Sequence, residues 1–250
     1  MNADFKMRLI EGKRLIGILL TLPSPEIAEI CADAGFDWLF LDMEHGLLDI
    51  AAVQRIVQAV GERCGCVVRV PANEEMWIKK ALDTGAAGLI FPHLQTAGEA
   101  ARVVGWSQYP PEGGRSIGIA RAQGYGAKLK ESIDSANRNL ALIAQIEHID
   151  AVRNIEAILN VPGVDAVFIG PFDLSASMGK PGQVLDAAVQ KAMAKVRQAC
   201  LKRSGVPVGI FARDIEFAGK SLAEGYSLLC TGTDATLLST GATELVKALK

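Results

Sequence analysis

Residues 38–46 read "WLFLDMEHG". Four apolar residues run without interruption into Asp42, Glu44 and His45, and the stretch ends on Gly46. A continuous apolar run this short reads as a strand covered on both faces, as in a parallel sheet packed under helices. Its ionisable groups collect only at the C-terminal end. In a (β/α)8 barrel that end is the mouth, where active sites are built.

The same pattern recurs along the chain. Strand candidates are "LIGILL" (15–20), "WLFLD" (38–42), "CVVRV" (66–70), "GLIFP" (88–92), "ALIAQIE" (141–147), "AVFIG" (166–170), "PVGIF" (207–211) and "SLLCTG" (227–232). Helical patterns lie between them. "DIAAVQRIVQAVGE" (49–62) sets Val53, Ile56, Val57 and Val60 on one stripe, with Asp49 as its N-cap. "NEEMWIKKALDTG" starts at Asn73 and stops at Gly85, and "TAGEAARVV" opens with the capping box Thr96–Glu99. Later segments at 150–159, 185–203 and 216–225 continue the alternation, and "DATLLSTGATELVKAL" closes it. Eight β-α units predict a closed (β/α)8 barrel as one domain over residues 1–250, with a doubly wound open sheet as the alternative. The 93–140 connection is long and holds the Gly- and Pro-rich "YPPEGGRSIGIARAQGYG", which marks it as functional or unstructured.

Composition narrows the partners. Half of the 250 residues are apolar and the formal net charge is −2, so nothing draws this chain to nucleic acid or to a membrane surface. No apolar run reaches bilayer length, and "MNADFKMRLIEGKRLIG" lacks the apolar centre of a signal peptide. Five Cys with no zinc-type spacing read as reduced thiols of a cytoplasmic protein.

Polar residues at the predicted strand ends form one constellation. Strand 2 delivers Asp42, Glu44 and His45, strand 3 Arg69, and strand 4 His93. On strand 5, period-2 alternation puts Gln145 and Glu147 on one face, and strand 6 runs through "GPFD" to Asp173. Glu147 and Asp173 converge if their strands are neighbours. Two carboxylates completed by water suit Mg2+ or Mn2+, with Co2+ or Zn2+ also compatible. A 2-oxo acid could chelate such an ion, which would polarise its keto oxygen. The "GPFD" backbone would meet the substrate carboxylate. Arg69 faces the barrel interior, where an unpaired charge is costly, and a developing enolate would be a fitting partner. His45 is the general-base candidate, oriented by Asp42. No Lys stands at an inward strand end, which disfavours a Schiff base. Structural readings stand beside these. Each buried ion could belong to a structural pair. His93 could simply line the mouth, His148 points away from Glu147, and Glu44 could face solvent or hold a metal-bound water. Arg115 and Arg121 could be a solvated loop or a clamp for the distal end of the substrate.

"GFDWLFLDMEHG", "VVRVP", "GLIFPHLQTAGEA", "YPPEGGRSIG", "AQIE" and "GVDAVFIGPFDLSASMG" together resemble the HpcH/HpaI aldolase family over nearly the whole chain. The resemblance implies a class II aldolase that cleaves 4-hydroxy-2-oxo acids reversibly to pyruvate and an aldehyde. It implies metal on Glu147 and Asp173, with Gln145, Gly170, Pro171 and Phe172 at the pyruvate moiety. Arg69 would stabilise the enolate, and His45 would be the base, paired with Asp83. Within one chain Asp83 ends a helix at the far side of the barrel, so such a pairing would have to cross a subunit interface. The resemblance also implies a homohexamer, a trimer of dimers, with the last helix (about 234–250) on a neighbouring subunit. Phe172, where relatives often carry a small residue, and Leu19 concern the acceptor pocket. A lyase acting on acyl-CoA thioesters, an oxo-acid decarboxylase and a non-catalytic oxo-acid sensor remain alternatives.

Overall fold

The computed structural model describes residues 3–203 and 205–250. In chain order its elements are α1 (Ala3–Ile10), β1 (Leu15–Leu20), α2 (Pro25–Asp33), β2 (Trp38–Asp42), α3 (Ile50–Val60), β3 (Gly65–Arg69), α4 (Glu75–Asp83), β4 (Gly88–Phe91) and α5 (Ala97–Ser107). A 3-10 turn (Arg121–Gly126) precedes α6 (Leu129–Asn139), β5 (Ala141–Ile146), α7 (Ile149–Arg153), α8 (Ile155–Leu159), β6 (Ala166–Ile169) and α9 (Pro171–Ser177). The chain closes with α10 (Ala187–Lys202), β7 (Val208–Ala212), α11 (Ile215–Ala223), β8 (Leu228–Thr233) and α12 (Asp234–Leu249). All eight strands pair in parallel with their sequence neighbours, and β8 returns to β1, so the barrel is closed and the open sheet is excluded.

The alternation of inward and outward side chains builds two cores. Outward residues such as Leu39, Leu41, Val68 and Ile146 pack under the helices with Val53, Ile56, Val57 and Val60, the predicted stripe of α3. Inward residues form a second cluster that contains Trp38, Phe40, Val67, Ile143, Phe168 and Cys230. The bottom of the barrel is stopped by α1, whose Phe5 and Leu9 join the inner cluster. Two glycines make room for this plug. A Cβ on Gly17 would collide with the Trp38 indole, and one on Gly65 would lie 2.7 Å from the Phe5 ring.

Local signals behave as expected in most places. Asp49 caps α3, and Thr96 with Glu99 forms the capping box of α5. Asn73 does not cap α4. Position Glu74 takes the cap without a side-chain bond, and the Asn73 amide instead reaches the Pro92 carbonyl at 2.5 Å. The 93–140 connection is largely structured, through α5, the 3-10 turn and α6. Among the described residues no helix is long and apolar enough to cross a membrane. Asp234 is buried, while every residue of α12 after it is exposed, Leu237, Leu238, Leu245 and Leu249 included.

Candidate active site

Strand register sets the centre of the site. Asp42 ends β2 directly opposite Arg69, which ends β3. Both are buried, and the guanidinium grips the carboxylate with two bonds, Nε–Oδ1 at 2.9 Å and Nη2–Oδ2 at 2.7 Å. This fork is the strong, orienting form of the interaction. Burial alone would push the Arg69 guanidinium down, but the Asp42 bonds and the charges of Asp42, Glu44 and Glu147 hold it above its ordinary value. Below it, Arg69 stands 5.1 Å over the Phe40 ring.

Asp42 does not orient the His45 ring, contrary to the sequence expectation. Its remaining contacts are to backbone N–H groups, those of Glu44 (3.0 Å) and His45 (3.3 Å). It therefore shapes the turn that carries the imidazole, in the manner of an Asx-turn. Gly46 lets the chain double back, because a Cβ there would strike the Asp42 carbonyl and lie 3.2 Å from the Thr21 Cα. The His45 side chain is 64% exposed, borders the mouth cavity and has its Nε2 3.7 Å from Glu44 Oε2.

Glu44 turns inward, not to solvent. Its Oε2 lies 3.1 Å from Arg69 Nε and its Oε1 2.7 Å from His93 Nε2. His93 in turn bridges to Glu147. Its backbone N–H donates to Glu147 Oε1 at 2.6 Å, and its Nδ1 lies 3.3 Å from the same oxygen. His93 adopts a left-handed φ of 53°, a conformation that costs about 1–2 kcal/mol in a residue with a Cβ. That strained backbone is what aims the N–H at Glu147. Burial pushes the Glu147 carboxyl up, and the His93 N–H, the His93 ring and the Gln145 amide pull it back.

Gln145 and Glu147 share a face as predicted, and the Gln145 amide donates to Glu147 Oε2. Gly170 sits against them, since a Cβ there would lie 3.1 Å from Glu147 Oε2. Gly170 also leads into α9 with Pro171 at its first position, so the first turn of α9 opens on the mouth. A cavity of about 140 Å³ results, lined by His45, Arg69, Gln145, Gly170, Pro171 and Asp173 together with the apolar Leu19, Phe40, Phe168, Phe172 and Phe211, the last two rings meeting edge to face. Phe211, the inward residue near the end of β7, lines the cavity without having been singled out in the sequence, as do Phe40 and Phe168. Its signal was its alternation with Gly209.

The donor set around Glu147 fits a hard divalent cation. Gln145 Oε1 is a buried acceptor without a hydrogen-bond partner, and Glu44 Oε2 lacks an aligned donor. Glu147 is buried, with His93 as its nearby ionisable nitrogen partner, and Asp173 opens onto the adjoining cavity. Among the described residues no three His, Cys, Asp or Glu side chains are clustered as a complete ligand set. One or two carboxylates suffice for a Mg2+-type site, since that ion keeps waters and substrate oxygens as its other ligands.

Two predicted site residues lie elsewhere. Asp83 ends α4 at the opposite end of the barrel, where its Oδ1 pairs with Arg115 Nη2 at 2.9 Å. Arg121 is there too and does not reach the mouth of its own barrel. Its Nη1 donates to the Thr84 carbonyl at 2.7 Å and its Nη2 to the Val57 carbonyl at 3.4 Å, so it caps the C-terminal ends of α4 and α3. Gly85 is required beside it, because its φ is +85° and a Cβ there would lie 2.5 Å from Arg121 Nη1. His148 is structural, its Nδ1 accepting the Asp150 N–H at 3.2 Å.

A closed parallel barrel with one charged, metal-compatible cluster at its C-terminal mouth is the architecture of a (β/α)8 enzyme. The profile of the family described as HpcH/HpaI aldolase/citrate lyase matches residues 15–240, and the chain belongs to that family. It is 41% identical over 245 residues to a 4-hydroxy-2-oxovalerate aldolase of Novosphingobium aromaticivorans, covering 96% of this chain and 91% of the relative. It is 40% identical to a hydroxypyruvate/pyruvate aldolase of Paraburkholderia phytofirmans, covering 92% of this chain and 90% of the relative. Its fold matches the crystal structure of an HpcH/HpaI aldolase/citrate lyase family protein from Burkholderia cenocepacia J2315. That match has a TM-score of 0.95 and 36% identity, over 100% of this chain and 99% of the other.

Proposed function

We propose that this protein is a carbon–carbon lyase, a metal-dependent aldolase that cleaves 4-hydroxy-2-oxo acids reversibly to pyruvate and an aldehyde. The observation that carries the reading is the buried Arg69 guanidinium, locked by Asp42 and bordering one cavity with His45 and Gln145. The aldolase names of relatives about 40% identical over most of the chain support it.

Glu147 and Asp173 would hold a divalent ion, Mg2+ or Mn2+, which when bound would supply Lewis-acid polarisation of the 2-oxo group. Gln145 and the Gly170–Phe172 backbone orient the pyruvate moiety. His45 takes the proton of the 4-hydroxyl as the C3–C4 bond breaks. The released electron pair moves to the 2-oxo oxygen, and the fixed Arg69 guanidinium stabilises that enolate charge without reorganising. Protonation at C3 yields pyruvate. Asp83 belongs to this scheme only in trans, reaching His45 of a neighbouring copy. In the same proposal the chain is one barrel domain over residues 1–250. The exposed α12 packs on a neighbour, and the assembly is a hexamer built as a trimer of dimers. The five free, buried cysteines suit a reducing cytoplasm.

The test is solvent-deuterium exchange into the methyl group of pyruvate, followed by NMR with Mg2+ or with EDTA. Exchange is expected with Mg2+, and both EDTA and Glu147→Gln should suppress it. Neither exchange nor cleavage with any divalent metal would sink the aldolase reading.

A further inference from the structure

We infer that Asp234, the first residue of α12, is a positioning residue for the proposed reaction: it fixes the loop after β1, and that loop holds the turn that carries His45. The inference rests on the aldolase reading, and every contact it uses lies within one copy of the chain.

Asp234 is a buried carboxylate, only 3% exposed. Its Oδ1 accepts the Thr21 N–H at 3.1 Å, the Thr21 hydroxyl at 2.9 Å and the Ala235 N–H at 2.8 Å. Its Oδ2 accepts the Thr21 N–H at 3.0 Å and the Leu22 N–H at 2.9 Å. A buried charge needs such donors, and the N-terminus of α12 adds the favourable end of a helix dipole. The helix does not need Asp234 as its cap. Thr233 fills that role, its hydroxyl accepting the Thr236 N–H at 3.0 Å. The carboxylate is thus left to hold Thr21 and Leu22, which are 213 and 212 positions away in sequence.

Thr21 passes the constraint on. It lies between β1 and α2, outside any strand, so no sheet ladder fixes it. Its N–H and hydroxyl go to Asp234, and its carbonyl accepts the Leu47 N–H at 2.9 Å. Beside that bond Gly46 lies so close that a Cβ on it would be 3.2 Å from the Thr21 Cα. Asp42 Oδ1 grips the start of the same turn through the Glu44 and His45 N–H groups. The His45 backbone is therefore clamped between Asp42 on one side and Thr21 on the other. Its ring is 64% exposed, so the position of the imidazole is inherited from that backbone. A displacement of about 1 Å at a reacting group can cost about 10²-fold in rate.

The experiment measures kcat and KM, with Mg2+, for cleavage of 4-hydroxy-2-oxopentanoate, the adduct of pyruvate and acetaldehyde. The variants are Asp234→Ala, Thr21→Val and each of them combined with His45→Ala. Asp234→Ala should lower kcat by about 10–100-fold. Its KM should stay within about threefold, because Gln145 and Gly170 on the pyruvate side are untouched. Thr21→Val removes one hydroxyl bond at a half-buried position and should lower kcat about fivefold. In the His45→Ala background each loss should shrink to within about twofold, since residues that act through one group are not additive. Wild-type kcat in folded Asp234→Ala overturns the inference, and so does a loss that persists undiminished without His45, which would make Asp234 a structural tether alone. Where Asp234→Ala does not fold, Thr21→Val decides by the same comparison. Methyl exchange into pyruvate without cleavage by the wild type removes the step the turn serves and overturns the inference alone. Neither exchange nor cleavage sinks the aldolase reading, and the inference falls with it.

Discussion

The two ends of β2 differ sharply in chemistry: one is packed among aromatic rings, the other pairs with a buried guanidinium. Trp38, Phe40 and Asp42 follow one another at every second position, so all three face the barrel interior. At the lower end Trp38 stacks on Phe40 at 5.7 Å and meets Phe168 edge-on at 6.0 Å, with Phe5 of α1 at 6.2 Å. Its indole N–H is satisfied by the Leu229 carbonyl at 3.1 Å. At the upper end, two residues past Phe40, Asp42 opens a chain of contacts through Arg69, Glu44 and His93 to Glu147. The lower end is buried aromatic packing. The upper end holds buried charge, unsatisfied acceptors and a strained backbone. The pairing teaches where stability and chemistry are separated: the plug supplies packing that lets the mouth keep groups unfavourable to folding alone.

Three substitutions break or sharpen that contrast. Trp38→Ala should cost the most stability, about 3–5 kcal/mol, because it opens a cavity among the inner rings and removes the indole bond to the Leu229 carbonyl. Chemical denaturation reads the loss, while kcat per folded molecule should hold. A loss under about 1 kcal/mol would show that the plug is not what secures the barrel. Asp42→Ala comes next, at about 3 kcal/mol, since it strips the fork from a buried guanidinium but leaves Glu44 facing it. Here kcat should fall together with stability, because Arg69 loses the partner that aims it. Retained kcat would mean that Arg69 orientation does not matter to turnover. His45→Ala should be the smallest in stability, within about 0.5 kcal/mol, as its side chain projects from the mouth. Its kcat should drop about 10²–10⁴-fold, and unchanged kinetics would remove His45 from the mechanism.

Much of this was legible before any coordinates. Eight apolar runs marked the strands to within a residue or two, because a strand covered on both faces has no polar alternation to confuse it. The inward positions of Arg69, Gln145 and Glu147 followed from period-2 counting. The plug helix α1 was not legible. Its Phe5 and Leu9 are four apart, a helix signal, but nothing local says that they enter the barrel floor. Arg121 was misplaced for a related reason. An Arg in a long loop shows no direction, and its target, the carbonyls of Thr84 and Val57, lies far away in sequence. Asp42 looked like the partner of the nearby His45, yet its strongest partner is 27 positions away.

The sequence by itself determined the strand and helix alternation, the barrel, the family resemblance and most of the polar residues at the mouth. Each of these depends on spacing within a segment or on the order of segments, and both are written in the chain. Only the tertiary structure decided the pairings: Arg69 to Asp42, Glu44 to His93, His93 to Glu147, and the aromatic wall of Phe172 and Phe211 across the mouth. Those contacts join different strands and loops. Their geometry is set by register, by the glycines that let the chain pass close, and by desolvation that makes each buried charge find a partner.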